Sequence, residues 1–540
     1  MMTTSLAWVA VLVLMFPISA NAQEHSHATT AEKLGTVHFT TSCSAAAQLP
    51  FNRAVALLHS FEFREAIEGF GATLAADRSC AIAEWGIALS QWSNPFAAGI
   101  RPAGPLQQGR AAVERARAIG AKTARERAYV EAVARLYDDF EKTSQTDRLR
   151  AYREAMSKVA VAYPADSEAS VFYALSLAAA ASPADKTFAD QLKAGGILER
   201  LIVRQPDHPG LAHYIIHAYD VPPLANRALE AARRYAKIAP SAAHALHMPS
   251  HTFTRLGYWQ DSIETNIASG EVAKRAGSVA EELHAMDYRT YAYLQISQDR
   301  DAKAMLDALP EVASRFNPDA IGSAAPGSAG IFALAAIPAR YALERGAWAE
   351  AAKLEPHSSK FPYTEAVTYF ARAIGGARLG DTATVRTSIE SLQKIHDQLA
   401  QAGEGYWAEQ TEIQHRAASA WLALAEGRNA DALAEMRAVA TLEDNTDKSA
   451  VTPGPLAPAR ELLGEMLLEM KEPAQARKEF EATMKKEPNR FRAVYGAARA
   501  ASLMGDRAAA RQYYGQLLKI SERGDRPGRP ELAEARQVAR

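Results

Sequence analysis

Cysteine is scarce. Cys43 and Cys80 are the only two in 540 residues, and no CxxC spacing exists between them or CxxCH anywhere. That excludes a disulfide-dense scaffold, a thiolate zinc finger and covalent c-type haem. A lone pair in an oxidising compartment is most simply a disulfide, Cys43–Cys80. Closing that loop constrains the unfolded chain by about 3–4 kcal/mol in the entropy model. An excess of either charge is also lacking, with 61 Lys plus Arg against 62 Asp plus Glu. Nucleic-acid binders need a basic surplus to neutralise phosphates, so no nucleic-acid partner is expected. Beyond position 22 no uninterrupted apolar run reaches about 18 residues, so no membrane span is expected in the mature chain. GxGxxG, GxxxxGK[ST] and GxSxG are missing as well, which leaves dinucleotide, P-loop and serine-esterase readings unsupported.

What the chain does have begins at its start. An apolar stretch, Leu6 to Ser19, runs into Ala20-Asn21-Ala22, although Met1 to Ser5 contain no Lys or Arg. A short apolar run ending in A-x-A is what signal peptidase cuts. Residues 1–22 are therefore expected to be a signal peptide, with Gln23 as the first mature residue and a periplasmic or secreted destination.

The rest is periodic. Ala476-x3-Phe480 with Pro488 is followed by Gly505 and Ala510-x3-Tyr514, so Lys471 and Gly505, and Ala476 and Ala510, stand 34 apart. Gly346 with Ala351 and Gly380 with Val385 repeat the same step, as do Ala194, Ala228 and Ser262. Gly427 with Ala432, Ala66 with Phe70, and Ala302 fit the frame, and Pro206 and Pro240 take the closing-proline position. Ala-rich windows such as 227–239 and 431–442 have high helix propensity, with apolar residues returning at three and four. The pattern resembles the tetratricopeptide (TPR) family over nearly the whole mature chain. The segments HPGLAHYIIHAYD (208–220) and HALHMPSH (244–251) resemble those of an exported bacterial subset.

That resemblance implies an all-α fold, an α-solenoid of about 12 stacked TPR-like helix pairs in a right-handed superhelix. It also implies a scaffold that binds a peptide, protein or small-molecule ligand in a concave groove. The expected organisation is an N-terminal segment (23–50), an array carrying the histidines (51–316), a joint (317–330) and a second array (331–540). The turn-rich segment 317–330 and the long connection 444–458 interrupt the repeat. Residues 182–191 lengthen a loop within one pair.

Seven of the 14 histidines crowd into one stretch: His208, His213, His217, His244, His247, His251 and His284. On the repeat frame, His213, His217 and Asp220 fall on one first helix. His244, His247 and His251 fall on the next, and His284, Asp287 and Tyr291 on the third. Residues three, four and seven apart share a helix face, and the TPR resemblance places those positions on the groove. Imidazole and carboxylate are ligands for Zn, Fe, Cu or Mn. Eight candidate ligands (His213, His217, Asp220, His244, His247, His251, His284, Asp287), with Tyr291 beside them, exceed one tetrahedral shell. They suit a transition-metal site with a second ion or orienting residues. The competing reading is a metal-free polar groove for a peptide or envelope protein. Pro249 interrupts the middle set, and either ends the stripe or kinks the helix and re-aims it. His213-Tyr-Ile-Ile-His217 lacks the glutamate of a zincin. His25 and His27 read as a polar tail, and His59 as structural.

Overall fold

A computed structural model of the chain describes residues 32–97, 99–320 and 322–539. The signal-peptide expectation and His25/His27 lie outside the described residues. From Lys33 onward the chain forms one compact unit. Every regular element among the described residues is helical, and each helix packs on its chain neighbours as antiparallel pairs. No described helix is long and apolar enough to cross a membrane.

Two sequence positions set the repeat. The turn between the helices of a pair needs a left-handed residue, and Gly257, Gly346, Gly380, Gly427 and Gly505 all take φ of 64–78°. Ser297 and Lys471 adopt the same conformation at the equivalent places, φ 56° and 63°. A side chain there costs about 1–2 kcal/mol relative to glycine. Position 223 is proline, whose φ is fixed negative; there the turn is replaced by a 3-10 helix, Ala225–Ala228. The second marker is the small residue five positions on. Ala66, Ala194, Ala228, Ser262, Ala302, Ala351, Val385, Ala432, Ala476 and Ala510 are all buried. Across Ala54 and Gly69, and across Phe480 with Gly464 and Gly496, a Cβ added to glycine would lie 2.3–2.9 Å from its neighbour. Small residues are what allow these helices so close.

Cys43 and Cys80 are joined. The bond ties the segment before helix Ala45–His59 to the start of helix Ala81–Trp92.

The array is not open. It coils back so that segments 230 residues apart touch. Asn94 Nδ2 donates to the Ala324 carbonyl (3.0 Å), Trp259 Nε1 to the Asn489 carbonyl (2.8 Å), and Arg529 Nε to Asp299 (2.9 Å). Segment 322–326 runs under this closure, with its Gly322 carbonyl accepting from Arg64 N and Ala325 N donating to Glu281. Segment 449–455 joins it from the other side, held by Arg340 through Thr452 Oγ1 (2.7 Å) and the Gly454 carbonyl (2.9 Å). Groove-side positions of the central repeats are thereby covered.

Candidate metal centre

Four helical segments bring six histidines together. Helix Pro209–Ala218 begins with proline at a position whose N–H has no helical partner anyway, and His208 caps it by accepting from Leu211 N (3.3 Å). His213 and His217 lie one turn apart on it. The next helix is broken. Ala243–His247 stops at Met248, and Pro249–Arg255 follows directly, with Met248 keeping helical dihedrals (φ −53°, ψ −35°). The break divides what would have been a single stripe: His244 turns toward His213 and His217, while His247 and His251 turn toward His284 of helix Val279–Gln295. Pro249 takes the first position of the second piece, and histidines on both sides of it join the triads.

The result is two triads, His213/His217/His244 and His247/His251/His284. In each, one nitrogen from every ring lies within 4.8 Å of the others. The triads are neighbours, with ring centroids 6.1 Å apart for His217–His251 and 5.9 Å for His244–His247. All six rings are 0–8 % exposed, so they line an interior chamber and not an open groove. A void of about 10 Å³ touches His217 and His244 from one triad and His251 and His284 from the other. That is roughly the room of one water.

Hydrogen bonds fix which nitrogens face inward. His213 Nδ1 donates to the His59 carbonyl at 2.6 Å. His251 Nδ1 donates to Asp220 Oδ2 at 2.9 Å. His247 Nδ1 contacts Asn266 Oδ1 at 2.7 Å, and Asn266 spends its own N–H on the Ser262 carbonyl, so here too the ring donates. Burial holds His213, His247, His217, His244 and His284 well below the usual histidine pKa, and burial also lowers His251 despite Asp220. Burial thus favours the neutral form of each ring. A neutral ring that donates through Nδ1 carries a lone pair on Nε2. Yet His247 Nε2 and His251 Nε2 face each other at 3.1 Å, and His213 Nε2, His217 Nε2 and His244 Nε2 have no hydrogen-bond partner, while His244 Nδ1 has Glu281 Oε1 no nearer than 3.6 Å. If both nitrogens are acceptors, the contact needs a proton or a metal ion between them. Two nitrogens bound to one ion at 2.0–2.1 Å in a near-tetrahedral shell stand about 3.1–3.4 Å apart.

Around the triads lies an outer set that the sequence reading did not single out. Phe96 stacks on His217 (3.9 Å between centroids, 9° between planes). Tyr288 reaches His251 Nε2 at 3.2 Å and donates to the Thr452 carbonyl. Glu281 Oε1 is 3.6 Å from His244 Nδ1, and its second oxygen has no partner. Burial and the nearby Glu281 push the Glu62 carboxyl up to about 8. No spacing announced these residues, because each arrives from a different repeat.

Three sequence candidates stand elsewhere than expected. Asp220 lies beyond the end of its helix and turns to His251 Nδ1, Arg255 Nε (2.9 Å) and Lys448 Nζ (3.5 Å), an orienting group and not an inward-facing ligand. Burial alone would raise its carboxyl, but Lys448, Arg255 and His251 hold it well below the usual value. Asp287 is bound by Arg340 Nε at 2.8 Å and belongs to neither triad. Tyr291 is fully buried, its hydroxyl accepting from Arg490 (3.1 Å), so it lines no groove. Helix spacing fixes only which face a residue occupies; the arginines that claim Asp287 and Tyr291 come from distant repeats.

A third cluster exists at His59, Glu168 and His208. Its polar atoms are paired: His59 Nε2 and His208 Nε2 with the two Glu168 oxygens (2.9 and 2.8 Å), His59 Nδ1 with Tyr214 Oη (3.0 Å), and His208 Nδ1 with Leu211 N. It is a closed network that places the His59 carbonyl under His213.

No protein-family model matches the chain, and no curated protein is similar to it. Among solved structures it is similar to the human IFIT1 dimer with m7Gppp-AAAA (8 % identity, 82 % of this chain and 90 % of that one, TM-score 0.35). It is also similar to the APC/C hetero-tetramer Cut9–Hcn1 (12 %, 91 % and 76 %, TM-score 0.35), and to the P58(IPK) TPR domain (14 %, 69 % and 98 %, TM-score 0.21). These are likenesses of helical arrays, too low in score to carry a ligand or partner across.

Proposed function

We propose that the chain is an exported metalloprotein that holds two transition-metal ions in its interior, one on His213, His217 and His244 and the other on His247, His251 and His284. The observation that supports this reading is the pair of Nε2 atoms at 3.1 Å, each on a ring whose Nδ1 meets an oxygen acceptor. An all-imidazole set suits Zn, Cu, Fe or Ni, and orienting acceptors behind ligand histidines are the normal outer arrangement of such sites. Three protein ligands per ion leave a position open, the mark of a reactive and not a purely structural centre. Both open positions would look into the void between the triads. The Cys43–Cys80 bond supports an oxidising destination, in keeping with export.

The test is elemental mass spectrometry on untagged mature chain. Two equivalents of a transition metal are expected, falling to none in the His217→Ala/His251→Ala variant with helical circular dichroism retained. No metal after reconstitution would overturn the reading and leave the metal-free scaffold for a peptide or envelope protein, which partner capture in the presence of a chelator would then identify.

A further inference from the structure

The C-terminal half contains a second and larger cavity, about 100 Å³, on the other side of segment 448–452 from the histidines. Lys448 and Thr452 line it, whereas Ala450 and Val451 line the chamber. One wall is aromatic. Tyr363 and Trp407 stack at 3.8 Å and 2°, and Tyr406 meets Trp407 edge-on at 4.9 Å. The volume is of the order of the roughly 150 Å³ that admits a benzene ring. Asp444 and Arg460 stand at the rim, about a third exposed.

Most charges of the lining are already matched. Arg255 binds Asp220 (2.9 Å), Arg460 binds Asp444 (2.5 Å), and Lys186 reaches Asp447 (3.2 Å). Lys486 donates to the Glu443 carbonyl (3.2 Å), and Glu443 accepts from Ala459 N (2.7 Å). Two groups remain. The Lys448 side chain is 4 % exposed, and its Nζ makes no hydrogen bond, with Asp220 no nearer than 3.5 Å. Burial brings its ammonium down to about 8. The buried Glu487 carboxylate lines the same cavity and feels both Lys448 and Arg255. Gln414, also in the lining, has an unpaired amide oxygen. A buried ammonium whose anion Asp220 stands 3.5 Å away without a hydrogen bond, a buried carboxylate in the same lining and a stacked aromatic wall suit a ligand with one charge of each sign and a ring.

We propose that this cavity binds a free aromatic α-amino acid, its ring on the Tyr363–Trp407 wall, its carboxylate on Lys448 Nζ and its ammonium on Glu487. The site lies across segment 448–452 from the histidines, and Asp220 touches both, holding His251 Nδ1 at 2.9 Å and standing 3.5 Å from Lys448 Nζ. Isothermal titration calorimetry of the mature chain with L-phenylalanine tests it, beside phenylalaninamide, N-acetylphenylalanine and L-alanine. One-to-one binding is expected for phenylalanine. Loss of either charge, or of the ring, should weaken it by at least about tenfold, as should Lys448→Met and Glu487→Gln, because each leaves a buried charge unpaired. The exposed control Lys485→Met should bind as the parent does. Binding should persist in a His213→Ala/His284→Ala chain, which takes one ligand from each triad and leaves His251 on Asp220, so a failure of the metal reading leaves this result intact. Variants are compared only where thermal midpoint and near-ultraviolet dichroism match the parent. No heat with phenylalanine, or equal affinity for either capped form, would overturn the proposal.

Discussion

Two histidine clusters lie side by side in this protein and differ in one respect. His59, Glu168 and His208 are as buried as the six chamber histidines, and one carboxylate closes their hydrogen bonds. The chamber has the same residue type, the same burial and no such closure. Burial of a histidine therefore says little about its role. Whether its inward nitrogen has a proton partner says much more, since an unmet buried polar group costs about 1–3 kcal/mol.

The contrast can be broken first by removing ligands. His217→Ala should lower metal content by one equivalent and His251→Ala by the other, by elemental analysis, with the double variant empty. Loss of both ions from either single change would show the two triads to be one cooperative site. Glu168→Gln should do the opposite: metal stoichiometry unchanged, but stability down by about 3–5 kcal/mol in urea titration, since a buried ionic partner is lost.

The closed cluster also sets a pH dependence. Burial would raise Glu168, but His208 and His59 hold it far below the ordinary carboxylate range, and burial lowers His59 despite Glu168. Both shifts mean that the unfolded chain binds more protons, so stability rises with pH. The Glu168 contribution is fully present above the unfolded carboxylate value of 4.5 and is lost as pH falls toward the folded value. The His59 contribution is lost below its ordinary 6.5. Stability should fall more steeply between pH 4.5 and about 2 in the parent than in Glu168→Gln; equal slopes would contradict the pairing.

A finer probe is the orienting layer. Asn266→Leu leaves His247 without its acceptor and should weaken metal binding about 10–100-fold by competition with a chelator. The smallest effect belongs to the roof. Phe96→Ala removes a stacked ring from His217 and should cost about 0.5–1.5 kcal/mol in stability beyond the lost area, with metal stoichiometry unchanged.

The helix pairs were legible because two positions per repeat bear strict physical demands: a left-handed turn residue, and a small residue where helices touch. Where the demand cannot be met, at Pro223, the pair departs from the frame. The histidine faces were legible for the same reason. What escaped was everything set by the coil's return. Each repeat adds a small rotation to the last, and no local pattern states their sum. Hence Asp287 was assigned to the histidines although Arg340 claims it, Glu62, Glu281 and Tyr288 went unnoticed, and segments 317–330 and 444–458 looked like plain connections although both reach the chamber.

That return bears on when the protein could acquire its ions. The chamber needs Asn94 and Phe96 near its beginning, Ala324 in its middle, and Val451 and Thr452 far along the chain. Few of its walls are neighbours in sequence, so an incomplete polypeptide has the histidines but not the enclosure. A chain truncated before residue 449 should show weak, exchangeable metal. On the proposed metal reading, sequestration would begin only when the last turn of helices has settled, which would make metal retention a report on completed folding.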